Sequence, residues 1–179
     1  MKQITLVGSG EQGLATGNEL IDIGYPITWL SDTGNKPSQN WMSVTDDKAK
    51  AYQNASIIFI DTGDIYEAGH FNSSKFEMIL SEIAEHVRND FLLVITNDVP
   101  VGTNKWALNL LREKFGSLPI LFDIVTNPGG LSDKEVVIGT RCRESEEVLK
   151  YLYEPYQDRI VYTSPEEAEM KSNVIKTIN

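Results

Sequence analysis

Gly8-Ser9-Gly10-Glu11-Gln12-Gly13 decides the reading of this chain, because of what stands on either side of it. Ile4 to Val7 before it is a short apolar run, the pattern of a buried strand. After it, Leu14, Gly17, Leu20, Ile21 and Gly24 recur at helical spacing, and Gly24 with Tyr25-Pro26 marks a helix stop. A G-x-G-x-x-G spacing means little alone; between a strand and a helix it acquires a physical role. Gly8 allows the tight turn, Gly10 lets the backbone approach a pyrophosphate, and Gly13 lets helix and strand pack closely. The first N–H groups of the helix lack intrahelical partners and attract an anion. The alternative is a tight glycine turn with no ligand. Glu11 suits the helix dipole but opposes a phosphate unless its side chain swings outward.

Outward from this turn, strands and helices alternate. Ile27 to Leu30 reads as a second strand, Ser31 to Asp46 as a polar loop, Asp47 to Gln53 as a short helix, and Ile57 to Ile60 as a third strand. Asp61 to Asn72 reads as a long polar loop. Phe76, Ile79, Leu80, Ile83, Ala84 and Val87 then form a helical stripe, with Ser74 and Glu77 spaced as a capping box. Phe91 to Ile95 is a fourth strand, and a helix through Trp106 and Leu111 stops at Gly116. Strands follow at Ile120 to Val125, Val136 to Ile138 and Ile160 to Tyr162, with a short helix around Val148, Tyr151 and Leu152. Ser164-Pro165-Glu166-Glu167 is a strong helix start, and Met170, Val174 and Ile178 continue as a stripe to Asn179. The expected fold is α/β: a Rossmann-type, doubly wound, mostly parallel sheet with helices on both faces, ending in a C-terminal helix. Residues 1–163 form the dinucleotide-binding domain, and 164–179 begin a connecting or dimerisation helix.

Composition narrows the partners. At 179 residues the chain is about one domain. Its net charge of −10 excludes the cationic footprint of a nucleic-acid binder and opposes an anionic membrane. One cysteine, Cys142, and two histidines, His70 and His86, build neither a disulfide nor a Cys/His-rich metal site. No apolar run approaches the roughly 18 residues of a membrane span. The expectation is a cytoplasmic domain whose partner is a dinucleotide, with no nucleic acid and no membrane, and with the last helix available as a homodimer seam.

The second strand bears on cofactor choice. An acid about twenty residues beyond the glycines should hydrogen-bond the ribose hydroxyls. Asp32 stands near that place, while Ser31 in the key position would leave room for a 2′-phosphate paired with Lys36. NAD and NADP both stay open, and ordinary loop charge is the alternative for Asp32 and Lys36. His70 reads as an exposed loop residue, His86 as exposed on its helix, and Trp29, Trp41 and Trp106 as packing residues.

Several segments, in order along the chain, resemble the N-terminal domain of the UDP-glucose/GDP-mannose dehydrogenase family. Gly8 to Gly17 is similar to G-x-G-Y-V-G-L-x-T-G, and Lys36 matches the lysine of the second-strand motif. Ile58-Phe59-Ile60-Asp61-Thr62-Gly63 resembles F-I-x-V-G-T-P, and Val99-Pro100-Val101-Gly102-Thr103 matches V-P-V-G-T. Asn127-Pro128 resembles the start of N-P-E-F-L, Val136 to Gly139 resembles I-V-I-G, and Ala168-Glu169-Met170-Lys171 resembles the start of A-E-x-x-K. The resemblance implies NAD-dependent oxidation of a nucleotide-sugar alcohol to a carboxylate in two steps, through a cysteine thiohemiacetal. It adds Thr62, Gly63 and Asp98 to the cofactor-binding set of Gly8, Gly10, Glu11, Gln12, Gly13, Ser31, Asp32 and Lys36.

The catalytic positions depart from the family. Asp98 replaces its threonine, Gly129, followed by Gly130, replaces its glutamate, and Asp64 and Ile65 stand where its proline belongs. Lys171 is one residue out of register. Cys142 is a poor nucleophile, with no lysine, histidine or helix start beside it in the sequence. No residue of this chain is assigned a catalytic role. The leading reading is the NAD(P)-binding half of a nucleotide-sugar 6-dehydrogenase, as a fragment or a diverged form, with a UDP-sugar bound only together with a further C-terminal domain. The rivals are a non-enzymatic nucleotide-binding or interaction module and another NAD(P)-dependent reductase.

Overall fold

Short apolar runs become strands here because the sheet is covered on both sides. A computed structural model describes residues 2–31, 43–63, 65–67 and 69–177, with side chains through 171. The strands are β1 (Ile4–Val7), β2 (Ile27–Leu30), β3 (Ser43–Thr45), β4 (Ile57–Ile60), the small hairpin β5 (Tyr66–Glu67) and β6 (His70–Phe71), β7 (Phe91–Ile95), β8 (Phe122–Thr126), β9 (Val136–Gly139) and β10 (Ile160–Thr163). The helices are α1 (Glu11–Asp22), α2 (Lys48–Tyr52), α3 (Ser73–His86), α4 (Thr103–Phe115), α5 (Arg143–Leu152) and α6 (Pro165–Thr177). The main sheet runs β3-β2-β1-β4-β7-β8-β9-β10. Pairing is parallel except where β9 meets β8 antiparallel at Thr126 and Gly139. The chain winds outward in both directions from the β1–β4 pair, so that pair is the topological switch point.

β4 shows why its sequence has no polar alternation. Ile58 and Ile60 enter one core with Phe76, Leu80 and Ile83 of α3 and Leu111 of α4. Ile57 and Phe59 enter the opposite core with Leu20 of α1 and Leu149 of α5. A parallel strand buried on both faces therefore reads as a continuous apolar run.

Local signals fix the helix ends. α1 closes in a Schellman motif: the Tyr25 N–H donates to the Leu20 carbonyl and the Gly24 N–H to the Ile21 carbonyl, both at 2.9 Å, with Gly24 at φ +100°. At α6 the expected capping box forms, Ser164 N–H donating to Glu167 at 3.1 Å and Glu167 N–H to the Ser164 hydroxyl at 3.3 Å. At α3 the expectation of a Ser74 cap is corrected. Asn72 caps instead, its Oδ1 accepting from Lys75 N–H at 3.1 Å, because the helix begins at Ser73, two residues earlier than a Ser74 cap requires. The polar stretches at 31–46 and 61–72 are also more structured than they read. β3 adds a parallel edge to β2, and the β5–β6 hairpin carries His70. His86 is half-buried rather than exposed, stacked on Tyr52 at 6.4 Å.

Candidate functional site

The glycine turn lies where β1 ends beside β4. Gly8 takes φ +94° and its N–H donates to the Leu30 carbonyl at 3.2 Å, tying the turn to β2. Trp29 of β2 is buried beneath it, with its indole N–H donating to the Gly8 carbonyl at 2.6 Å. Gly10 N-caps α1 in an extended conformation and offers no side chain to the helix N–H groups. A Cβ at any of the three fingerprint glycines would overlap the same neighbour. At Gly8 it meets the Asp61 carbonyl, at Gly10 the Asp61 carboxylate and at Gly13 the Asp61 Cβ.

Asp61, the first residue after β4, supplies what Gly10 lacks. Its Oδ2 accepts from Gly13 N–H at 2.5 Å, capping the third residue of α1 across 48 positions of sequence. Its Oδ1 accepts from Gly63 N–H at 3.1 Å and from Asn97 Nδ2 at 3.0 Å. Asn97, just past β7, also donates to the Gly63 carbonyl at 3.1 Å and accepts from Thr62 N–H at 3.1 Å. Burial pushes the Asp61 carboxyl above the ordinary range. The bonds from Gly13 and Gly63 offset part of this, nearby Asp98 adds to it, and the Asn97 amide opposes it.

These three loops enclose a cleft of about 460 Å³. Glu11 and Gln12 line it from α1; Asp61, Gly63, Ile65 and Tyr66 from the segment after β4; and Asn97 and Asp98 from the end of β7. Three acidic residues line this space, and among the described residues no lysine or arginine does.

Of the residues expected from sequence, Glu11, Gln12, Gly63 and Asp98 meet at the cleft, and Gly8, Gly10 and Gly13 form the turn beside it. Thr62 is buried there, its hydroxyl without a hydrogen-bond partner. Ser31 is buried at the end of β2, with its N–H donating to the Thr45 carbonyl at 3.3 Å. Asp32, Lys36 and Trp41 lie outside the described residues. Asp61 and Asn97 were missed as site residues. The available signal was an acid directly after a fully apolar strand at the expected switch point.

The departures from the family pattern have structural consequences. Gly129 and Gly130 take φ +76° and +58° in a turn that packs on α1, where Leu131 N–H donates to the Thr16 hydroxyl at 2.9 Å. A Cβ at Gly130 would overlap that hydroxyl. Asn127 is buried and structural: it donates to the Val137 carbonyl at 2.8 Å and accepts from the Tyr153 hydroxyl at 3.0 Å. Lys171 pairs with Glu135 on the surface. Cys142 does stand at a helix start, as the N-cap of α5, because Thr140 turns the chain there by accepting from the Cys142 N–H at 3.0 Å. Its thiol donates to Glu144 at 3.2 Å.

The backbone of the turn fits a dinucleotide. The N–H groups of Glu11 and Gln12 have no hydrogen-bond partner among the described residues, and both residues line the cleft. Two open donors at the start of a helix, beside a glycine turn at the switch point, are the arrangement that an anion cradle requires. Fold and cradle together define the class: a Rossmann-type domain for NAD(P). The chain belongs to the UDP-glucose/GDP-mannose dehydrogenase family, whose NAD-binding domain matches residues 29–157. It is 27% identical over 201 residues to the UDP-glucose 6-dehydrogenase YwqF of Bacillus subtilis, covering 93% of this chain and 46% of YwqF. It is 26% identical over 189 residues to the UDP-glucose 6-dehydrogenase of Rickettsia bellii, covering 87% and 43% respectively. The chain thus spans about half the length of the curated relatives it matches. In fold it is similar to the UDP-glucose dehydrogenase of Pyrobaculum islandicum (TM-score 0.84, 18% identity, 99% of this chain and 50% of that one). It is also similar to a GDP-mannose dehydrogenase of Pseudomonas aeruginosa (TM-score 0.81, 20% identity, 98% and 49%). Among the described residues no helix is long and apolar enough to cross a membrane.

Proposed function

We propose that this chain is the cofactor-binding half of a cytoplasmic NAD(P)-dependent nucleotide-sugar dehydrogenase. The carrying observation is the pair of open N–H groups on Glu11 and Gln12, two residues that line the switch-point cleft, in a member of this family. In this reading the diphosphate lies against the start of α1, and Gly63 and Asn97 bound the space beyond it. Bound NAD supplies the hydride acceptor. Ser31, directly after β2, and Asp32 and Lys36, which follow it in the sequence, meet the adenosine ribose in this reading and set the preference between NAD and NADP. Acid–base and nucleophilic groups for a UDP-sugar belong to residues outside this chain, since Gly129 offers no side chain. That same glycine, with Asp98 in place of the family's threonine, favours a second reading: nucleotide binding without turnover.

Calorimetric titration with NAD, NADH and NADPH tests the binding, using a matched pair of variants. Glu11→Pro and Glu11→Gln both remove the Glu11 charge, but only the proline removes its N–H. Proline is favoured at the first helical position, and Gly10 before it already has the extended ψ of 146° that a following proline requires. Binding retained in Glu11→Gln and weakened about tenfold or more in Glu11→Pro supports the cradle. Equal binding in the two variants rejects it, and no saturable binding of any dinucleotide to the parent chain rejects the function.

A further inference from the structure

We infer that Asp61 is an affinity-determining residue of this cleft: a resident carboxylate that competes with the cofactor's diphosphate for the start of α1. The inference rests on the dinucleotide reading and deepens it. In the expected role of a G-x-G-x-x-G turn, Gly10 is small so that a ligand's pyrophosphate can come close. In this chain the group that comes close is the protein's own anion. A Cβ on Gly10 would overlap the Asp61 carboxylate, and a Cβ on Gly13 the Asp61 Cβ.

The carboxylate is 3% exposed as part of a residue fixed on both oxygens, by Gly13 on one side and by Gly63 and Asn97 on the other. The Glu11 and Gln12 N–H groups belong to the same first turn as Gly13. A diphosphate on those donors therefore lies within one helical turn, about 5 Å, of the carboxylate. Three donors hold Asp61 in place, no cationic side chain lines the cleft among the described residues, and Asp98 stands nearby with the same sign. Like charges at such a distance in a partly desolvated cleft repel strongly. The same contact that finishes the N-terminus of α1 in the absence of ligand thus opposes the ligand.

The test is NADH affinity in the parent chain, in Asp61→Asn, in the shorter Asp61→Ser, and in Asp98→Asn. The last removes a cleft carboxylate that does not bond Gly13. Thermal unfolding of each variant identifies those that keep the fold. Asp61→Asn or Asp61→Ser should bind NADH at least about tenfold more tightly than the parent chain, and clearly more tightly than Asp98→Asn. Equal or weaker binding in a folded Asp61 variant overturns the inference and leaves the dinucleotide reading standing. An equal gain in Asp98→Asn also overturns it, because net charge alone would then explain the effect. If neither the parent chain nor any folded variant binds, both readings fall. A measurement on the parent chain needs no variant: the Asp61 side-chain carboxyl carbon resonance should shift on saturation with NADH. An unmoved resonance at saturation also overturns the inference.

Discussion

At the scale of single residues, Asp61 accounts for the three fingerprint glycines in physical terms. Gly10 has φ −65°, which any residue adopts, so its constraint is space and not backbone conformation. Gly10→Ala should lower stability by about 1–3 kcal/mol through overpacking against Asp61. Urea unfolding measures this directly, and an unchanged midpoint refutes it. Asp61 also has a defined pH signature. Burial raises its folded-state pKa, so the folded chain holds that proton more readily than the unfolded chain. Stability contributed by protonation then rises as pH falls through the folded-state pKa, and the gain ends below the unfolded carboxyl value of about 4. The melting temperature of the parent chain, relative to Asp61→Asn, should therefore climb on acidification from neutral pH. A relative fall would contradict the assignment.

At the scale of elements, two helices are capped by carboxylates borrowed from distant segments. Asp61 caps α1, and Glu169 of α6 caps α4 by accepting from Gly102 N–H at 2.6 Å and Asn104 N–H at 2.7 Å. Glu169 is fully buried, and that burial lifts its carboxyl above the ordinary range, against the opposing pull of those two N–H groups. Glu169→Ala leaves the buried Asn104 N–H and the partly buried Gly102 N–H unpaired and should lose about 2–4 kcal/mol in a urea titration. Ser164→Ala, at the exposed box of α6, should lose only about 1 kcal/mol. Similar losses for the two would mean that α6 does not hold the start of α4. This contrast also explains what was legible in the sequence. The Ser164–Glu167 box spans three residues and could be read directly. The Asp61–Gly13 and Glu169–Asn104 caps span 48 and 65 residues and depend on which loops the sheet brings together. The strands β4 and β7 are equally readable, because burial on both faces leaves an uninterrupted apolar run, and β1 departs from it only at Thr5, whose buried hydroxyl donates to the Ala51 carbonyl at 2.6 Å. β3 and the β5–β6 hairpin lie in polar stretches with no such period, so nothing in the sequence marks them as strands.

At the scale of the whole molecule, a chain of net charge −10 must attract an anionic cofactor against its own field. Its cleft repeats that sign locally through Glu11, Asp61 and Asp98. Nucleic-acid binders lose affinity as salt rises, because their cationic surfaces are screened. Here screening removes repulsion, so NADH affinity should rise as NaCl is increased from about 20 to about 200 mM. A fall over that range would mean that cations dominate the encounter, Lys75 among them, whose ammonium lies 3.4 Å from the Thr62 carbonyl.

The Trp29–Gly8 contact gives the cleft an optical consequence. Trp29 is 2% exposed and hydrogen-bonded to the first carbonyl of the glycine turn, while Trp106 sits apart on α4, 6.3 Å from Phe76. The indole emission of Trp29 therefore reports on the turn itself, and NADH bound there absorbs the light that indole emits. Quenching by NADH that is weaker in Trp29→Phe than in the parent chain would make Trp29 an unlabelled reporter of binding, with Trp41 and Trp106 accounting for the quenching that remains.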